Sequence, residues 1–264
     1  MAKPLGSDEL WAVVAPLLPP EPPKPNGGRP RVPDRACLTG IIFVAEIGHP
    51  LGDAAPGDGL RLGGDVLAPV ARLASGWGLG GAAPHAAGPS RGGRPDRLEP
   101  GLPGQRLHPR QKGGEHTGPN PTDRGKPGTK RHMVTERGGL PLAKVLTGAT
   151  RHDSTVFEEL LDAIPPIKTP AGRRRKRPDK GHADKAYDIP RCRRALTQRH
   201  IKIRIARKGI DASERLGRHR WVVERTLSWL SQDRRLTIRY ERRADIHDAF
   251  LTLGGALICF KALP

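Results

Sequence analysis

A chain of 264 residues with 46 Lys+Arg against 27 Asp+Glu carries a formal net charge of +19. That balance selects a polyanionic partner, because each phosphate neutralised by Lys or Arg releases a condensed counterion. Three widely spaced cysteines (Cys37, Cys192 and Cys259) exclude a disulfide framework and a zinc ribbon. No apolar run reaches membrane-spanning length, so the chain reads as soluble and cytoplasmic with no membrane partner. A GC-rich genome would also enrich Arg, Gly, Ala and Pro, so charge alone does not decide the function.

Residues 1–48 have the texture of an ordered module. Ser7 is placed to cap a helix carrying Leu10, Trp11, Val14, Leu17 and Leu18 at helical spacing. Proline-rich sequence then leads into Gly27-Gly28-Arg29-Pro30-Arg31. Asp34 opens a second, more apolar helix with Leu38, Ile41, Ile42 and Val44. Two short helices beside a basic turn suit a small DNA-binding module, with Arg29 and Arg31 in an extended arm that can enter a minor groove. An ordinary Pro/Gly linker is the other reading of that arm. Residues 49–111 differ in kind: they are rich in Gly and Pro, show neither helical nor alternating periodicity, and read as irregular.

Normal texture returns over 112–264. Lys130–Thr135 and Pro141–Thr147, joined by Gly138-Gly139, read as a two-stranded hairpin. Asp153 or Ser154 caps a helix through Val156, Phe157, Leu160, Leu161 and Ile164. A basic tract follows (Arg173, Arg174, Arg175, Lys176), presenting its charges to phosphates from a solvated loop. A short strand ends near Asp184, a basic helix starts near Pro190, and a strand runs through Ile201, Ile203 and Ile205. A helix from about Arg218 to Leu230 and an apolar helix from Ile246 to Phe260 complete the chain. Alternating strands and helices indicate an α/β or α+β catalytic domain.

Two motifs carry the chemistry: His182-Ala183-Asp184-Lys185-Ala186-Tyr187-Asp188 and Arg220-Trp221-Val222-Val223-Glu224-Arg225-Thr226. Asp184 sits where a strand ends, a place from which a rigid sheet presents catalytic groups; a turn-capping Asp is the plainer reading. Glu224 lies four residues after Arg220 on one helix face. A salt bridge in that order is worth only a few tenths of a kcal/mol, roughly. Carboxylates in a strongly cationic chain suit a divalent-metal site acting on a polyanion. Two-metal phosphoryl transfer needs clustered acids, so a third is expected upstream. A phosphate-cradling loop, Cys/His zinc spacing and a Gly-x-Ser-x-Gly turn are all absent from the sequence.

From about residue 112 the chain resembles the insertion-sequence transposases of the IS5 group, within the DDE, ribonuclease H-like superfamily. The matching stretches are Gly113–Gly118, Asp123–His132, Leu146–Ala149, Arg151–Ser154, the Asp184 motif, and Arg220–Trp229 with Arg234-Arg235-Leu236 beyond. Residues 1–48, with Gly28-Arg29-Pro30, are similar to that family's N-terminal DNA-binding segment. The resemblance implies a ribonuclease H-like catalytic domain over 112–264 behind a small helical DNA-binding module. It makes Asp184 the second catalytic Asp, Glu224 the catalytic Glu, and Arg220 the Arg of a Tyr-Arg-Glu signature whose Tyr position is Gly217. Asp184 and Glu224 would hold Mg²⁺ or Mn²⁺. Arg220 would steady the scissile phosphate, and Arg29, Arg31, the Arg173–Lys176 tract, Arg234 and Arg235 would hold DNA. The partners implied are transposon ends and target DNA, bound by a homodimer in the nucleoid.

The first catalytic Asp of that family is missing. The segment before Gly113 reads Pro103-Gly104-Gln105-Arg106-Leu107-His108-Pro109-Arg110-Gln111, with no acid. Back-translation with a shift of one nucleotide permits a family-like strand with an Asp opposite Gly104. The same offset applied from His49 to Gly59 also permits family-like sequence. A frameshift near Gly48 and a compensating one near Gln111 would make the middle segment out-of-frame. The module at 1–48 would then be truncated, and the catalytic domain would lack its first strand. On this reading the present copy is an inactive, decayed transposase. Two alternatives stand beside it: a non-enzymatic basic DNA-binding protein, and a divergent metal-dependent nuclease.

Overall fold

The computed structural model describes residues 6–18, 32–47, 104–109, 114–168, 174–210 and 217–262. Of the sequence expectations, Arg29, Arg31, Arg173 and nearly all of the irregular segment lie outside those residues.

At the N-terminal end, α1 (Asp8–Val14) begins where expected, with the Ser7 hydroxyl accepting from the Leu10 amide at 3.2 Å. Helix α2 (Asp34–Ile47) buries Cys37, Leu38, Ile41, Ile42, Val44 and Ala45. These helices share one hydrophobic core with the rest of the chain, and α2 packs against a short helix far along the sequence, α6 (Arg234–Thr237).

The centre is an antiparallel sheet built on β3 (Pro127–Thr135). On one edge β3 pairs with β4 (Pro141–Gly148), from Thr129↔Gly148 to Thr135↔Pro141, with a register shift at Val134/Thr135. Beside the end of β4 the two-residue β2 (Gly118–Pro119) pairs with the start of β3. On β3's remaining edge lies β1 (Gly104–Pro109), in register from Gly104↔Met133 to Pro109↔Gly128. This corrects the sequence reading, in which the irregular segment ran to 111 and the domain lacked its first strand. The physical reason is that ladder bonds come from the backbone. A nine-residue strand, buried from Gly128 on and with an open edge, recruits a partner segment whose side-chain pattern gives no strand signal.

Alternation along β3 sends its polar side chains to two faces. Lys130 and His132 face α3 (Phe157–Asp162) and the 3₁₀ turn Asp153–Thr155 that leads into it. Arg131 faces the long C-terminal helix α7 (Ala244–Lys261), where Lys144 of β4 forms an ion pair with Asp248. Helix α5 (Gly217–Leu230) packs on β1, β3 and α7.

A second strand pair completes the fold. β7 (Lys180–Ala183) runs parallel to β8 (Lys202–Ile205), from Lys180↔Lys202 to Ala183↔Ile205, with α4 (Pro190–Gln198) as the crossover between them. Pro190 starts α4 at a position where a missing N–H costs nothing. Between α3 and β7 a small hairpin pairs β5 (Ile167–Lys168) with β6 (Arg174–Arg175). Mixed strands and helices match the expected α/β class. Among the described residues no helix is long and apolar enough to cross a membrane.

The β3–β4 turn is bound to α5. The Glu136 amide donates to Leu140 O at 2.9 Å and the Gly139 amide to Glu136 O at 3.0 Å, leaving Gly139 at φ +95°. Thr226 donates its hydroxyl to Gly139 O at 2.6 Å, and the Arg225 guanidinium donates to Gly138 O. A Cβ added at Gly139 would lie 2.8 Å from Arg225 Nη2 and 3.2 Å from the Thr226 hydroxyl. We expect Gly139→Ala to cost about 1–3 kcal/mol, from backbone strain plus displacement of Arg225, measured by urea unfolding. An unchanged midpoint would mean that the turn does not anchor the helix.

Candidate active site

Asp184 follows directly on β7. Its carboxylate accepts the Ala186 amide at 2.9 Å and caps the 3₁₀ turn Lys185–Tyr187, so the strand end and the turn together fix its direction. The capping role and the strand-end position are thus both real. Beneath it, the 185–187 turn packs against the 153–155 turn, and the Tyr187 ring lies 5.4 Å from that of Phe157 at 45°.

That packing brings a second carboxylate to Asp184. Asp153 is only 6% exposed. Its Oδ1 lies 3.3 Å from Lys130 Nζ and 3.5 Å from His132 Nδ1. Lys130 also donates to Arg151 O at 2.8 Å, and His132 Nε2 is 2.8 Å from the Thr147 hydroxyl. Burial pushes the Asp153 carboxyl above its ordinary range, against the pull of Lys130, and the Asp184 charge adds to the rise. Burial, with Lys130 and Arg151 nearby, lowers His132 to about 4. The Tyr187 phenol is pushed well up by burial and by the charges of Asp153 and Asp184, and its buried hydroxyl has no hydrogen-bond partner. Sequence reasoning took Asp153 as a helix cap. Its position within Arg151-His152-Asp153-Ser154, one of the stretches shared with the transposase family, was the available signal.

Glu224 is exposed on α5. Two residues that follow or precede it give the helix an unusual face: Arg225 lies between Trp221 and Trp229, with its guanidinium carbon 4.4 and 4.6 Å from their ring centroids. Spacing of i−4 and i+4 stacks the three side chains along one stripe. Trp221 is 49% exposed, which is high for a Trp. Arg220 lies one turn before Glu224 on the same helix; its side chain is outside the described residues, as are those of Arg174 and Arg175 on β6. Lys176 and Arg234 are exposed, as a DNA-facing role requires.

Arg235 does not belong with them. It is 4% exposed, 2.9 Å from Glu241 Oε1, and stacked over Tyr240 at 4.7 Å. On the one-turn helix α6 it shares the inward side with Leu236, so the tandem arginines face opposite ways. Glu241 also meets His247 Nδ1 at 3.3 Å. Burial tends to raise the Glu241 carboxyl, but the hydrogen bond from His247 and the Arg235 charge outweigh it and hold it low. Burial also lowers His247 to about 4. Among the described residues no three His, Cys, Asp or Glu side chains converge as a metal site.

The comparisons with known proteins bear on this arrangement. The family described as "Transposase DDE domain" matches residues 103–259, from the first residues before β1 almost to the end of α7. The family described as "Putative transposase of IS4/5 family" matches residues 7–57, beginning at α1. The "Putative transposase for insertion sequence element IS402" of Burkholderia cepacia is 50% identical over 204 residues, covering 77% of this chain and 97% of that protein. The chain belongs to the DDE transposase family. A second Burkholderia cepacia protein, the "Insertion element IS402 uncharacterized 16.2 kDa protein", is 56% identical over 52 residues, 18% of this chain and 34% of its own length. No solved structure matches. For a DDE transposase, the strand-end Asp184 and the helix-borne Glu224 are the acids to weigh.

Two expectations follow from the charges. An unfolded imidazole takes up its proton near 6.5, whereas folded His132 and His247 do so near 4. Between those values the unfolded chain binds more protons, so the stability held above pH 6.5 declines as pH falls and levels near 4. Asp233, raised to about 6 by burial and Glu46, acts in the opposite sense. His132→Gln and His247→Gln should each flatten the slope of unfolding free energy against pH by about one proton; an unchanged slope would place that histidine in solvent. Separately, Arg235→Ala should lower stability and leave the salt dependence of DNA binding unchanged. Arg234→Ala should reduce the slope of log K against log salt by about 1.

Proposed function

We propose that this DDE transposase is built for divalent-metal-dependent cleavage at the ends of an insertion sequence of the IS5 group, followed by transfer of the freed 3′-hydroxyl to target DNA. The observation that carries the reading is the placing of Asp184 at the end of β7, inside the matched DDE domain, with a buried polar cluster fixing the turn it caps. Asp184 and Glu224 are the metal-holding acids, and Mg²⁺ or Mn²⁺ the ions. Oxygen donors suit these hard cations, which are held through one or two carboxylates while water and phosphate complete the shell. The buried hydroxyl of Tyr187, in the turn that Asp184 caps, lacks a hydrogen-bond partner and favours such an occupant.

When bound, such an ion neutralises charge on the scissile phosphate and raises the acidity of a water or hydroxyl. The chain's own residues do the rest. Arg220, one turn from Glu224, binds a non-bridging phosphate oxygen. Trp221 and Trp229 hold Arg225 against the β3–β4 turn and so fix the rotation of α5, which directs Glu224. Arg29, Arg31, Arg173–Lys176 and Arg234 hold the DNA backbone. The working form is a homodimer on DNA, in the cytoplasm at the nucleoid.

The same proposal includes inactivity of this copy. Strand β1 occupies the edge of β3 on which the family's first Asp is expected, and its sequence holds no acid. Out-of-frame translation between Gly48 and Gln111 accounts for that. Binding of DNA without cleavage is the second reading, favoured by the absence of a three-acid group among the described residues. A divergent nuclease would nick but form no joined products.

The test uses two chains: this one, and one translated in the shifted frame between codons 48 and 111, which permits an Asp opposite Gly104. With Mg²⁺ and plasmid carrying the element's ends, we expect this chain to bind DNA with a steep salt dependence and not to nick it. The frame-corrected chain should nick and join, and lose both activities in Asp184→Asn or Glu224→Gln. Nicking by the present chain that depends on Asp184 would overturn the inactivity. Nicking by the corrected chain that survives both substitutions would overturn the assignment of the two acids.

A further inference from the structure

We propose that Asp153 is a second metal-holding carboxylate of the Asp184 site, with Lys130 as the internal counter-ion that it exchanges for a divalent cation. The inference rests on the metal reading of Asp184 above and goes beyond the acids that the family resemblance supplies. It starts from where two separate turns meet. The 3₁₀ turn opened by Asp153 and the 3₁₀ turn capped by Asp184 pack together, and each carboxylate lies within the other's field. Asp184 is committed through one oxygen to the Ala186 amide, and it remains partly exposed. Asp153 is buried, and its Oδ1 lies 3.3 Å from the Lys130 ammonium and 3.5 Å from the neutral His132 imidazole.

The independent observation is Tyr187. Its side chain is 2% exposed, its hydroxyl finds no partner, and the charges acting on it are those of Asp153 and Asp184. A buried phenol O–H without a partner is uncommon, because leaving it unpaired forfeits its solvation. Beside two carboxylates, such a group suits contact with a water in a cation's shell. Two carboxylates are enough for a small divalent ion that keeps several waters and takes its remaining oxygens from phosphate. Lys130 can yield its place: its ammonium is also held by Arg151 O at 2.8 Å, so it can move off Asp153 and stay bonded.

The experiment is Mn²⁺ binding to the full chain, followed by electron paramagnetic resonance, with thermal unfolding of every variant. Asp153→Asn should weaken Mn²⁺ about tenfold, and Asp153→Glu should recover part of that loss. Lys130→Met, which removes a competing cation, should tighten Mn²⁺ severalfold although it destabilises the fold. Opposite signs for Lys130 and Asp153 set a ligand pair apart from a merely structural ion pair, whose loss would shift both variants the same way. Equal weakening in both, or Mn²⁺ affinity in Asp153→Asn matching the unmodified chain, overturns the proposal while leaving Asp184 as a ligand. A full chain that binds no Mn²⁺ at millimolar concentration also overturns it and is compatible with an inactive transposase. Binding that survives Asp184→Asn overturns both readings. Should Asp153→Asn fail to fold, the sign of the Lys130→Met effect decides alone.

Discussion

Buried charge on β3 is the constraint on which the rest of the structure depends. Lys130, Arg131 and His132 are consecutive, all below a tenth exposed, and strand alternation forces them to opposite faces. Taking an ion out of water costs several kcal/mol per group unless it is met by charge and hydrogen bonds, roughly speaking. One face meets that demand with Asp153 and Arg151 O. On the other, the Arg131 charge acts on Asp233 and His247, at the start of α6 and in α7. The strand cannot be covered by generic apolar helices. Its Lys130 needs a particular acid, Asp153, in the turn that leads into α3.

The site inherits its geometry from that requirement. Lys130 holds Asp153 at the entrance to α3, and the turn there supports the turn that Asp184 caps. On the opposite side, α7 and the β3–β4 turn hold α5, the helix of Glu224. Asp184 and Glu224 thus stand on elements anchored to opposite faces of one strand. Errors in either anchor would move one acid relative to the other, and the metal site proposed for them would tolerate little of that.

Much of this was legible in the sequence. Ser7, Asp34, the Gly138-Gly139 turn, Pro190 and the apolar helix ending at Phe260 all carry local signals, and the elements begin or end within a few residues of them. What was not legible depends on contacts between distant segments. β1 forms because β3 offers it an edge, not because Gly104–Pro109 has strand patterning. Arg234 and Arg235 look identical in sequence, and only the packing of Leu236 turns one inward. Asp153 reads locally as a cap, since nothing near it in the chain reveals Lys130 across the hairpin or Asp184 beyond α3. Local rules found the elements; the pairing of buried charge decided which polar residues are structural.

The strand β1 sharpens the case for what this chain lacks. A backbone can complete a sheet with almost any residues, because its hydrogen bonds are generic, whereas a metal site needs one side chain at one position. An altered reading frame can therefore leave the fold standing and remove the chemistry. The sheet here has its β1, in register with β3 along six residues, and β1 contains no acid. A cationic surface needs no such precision to attract DNA, since phosphate attraction depends on charge and not on frame. On the proposed reading, an altered frame would leave the family's hold on DNA in place and remove its cutting chemistry.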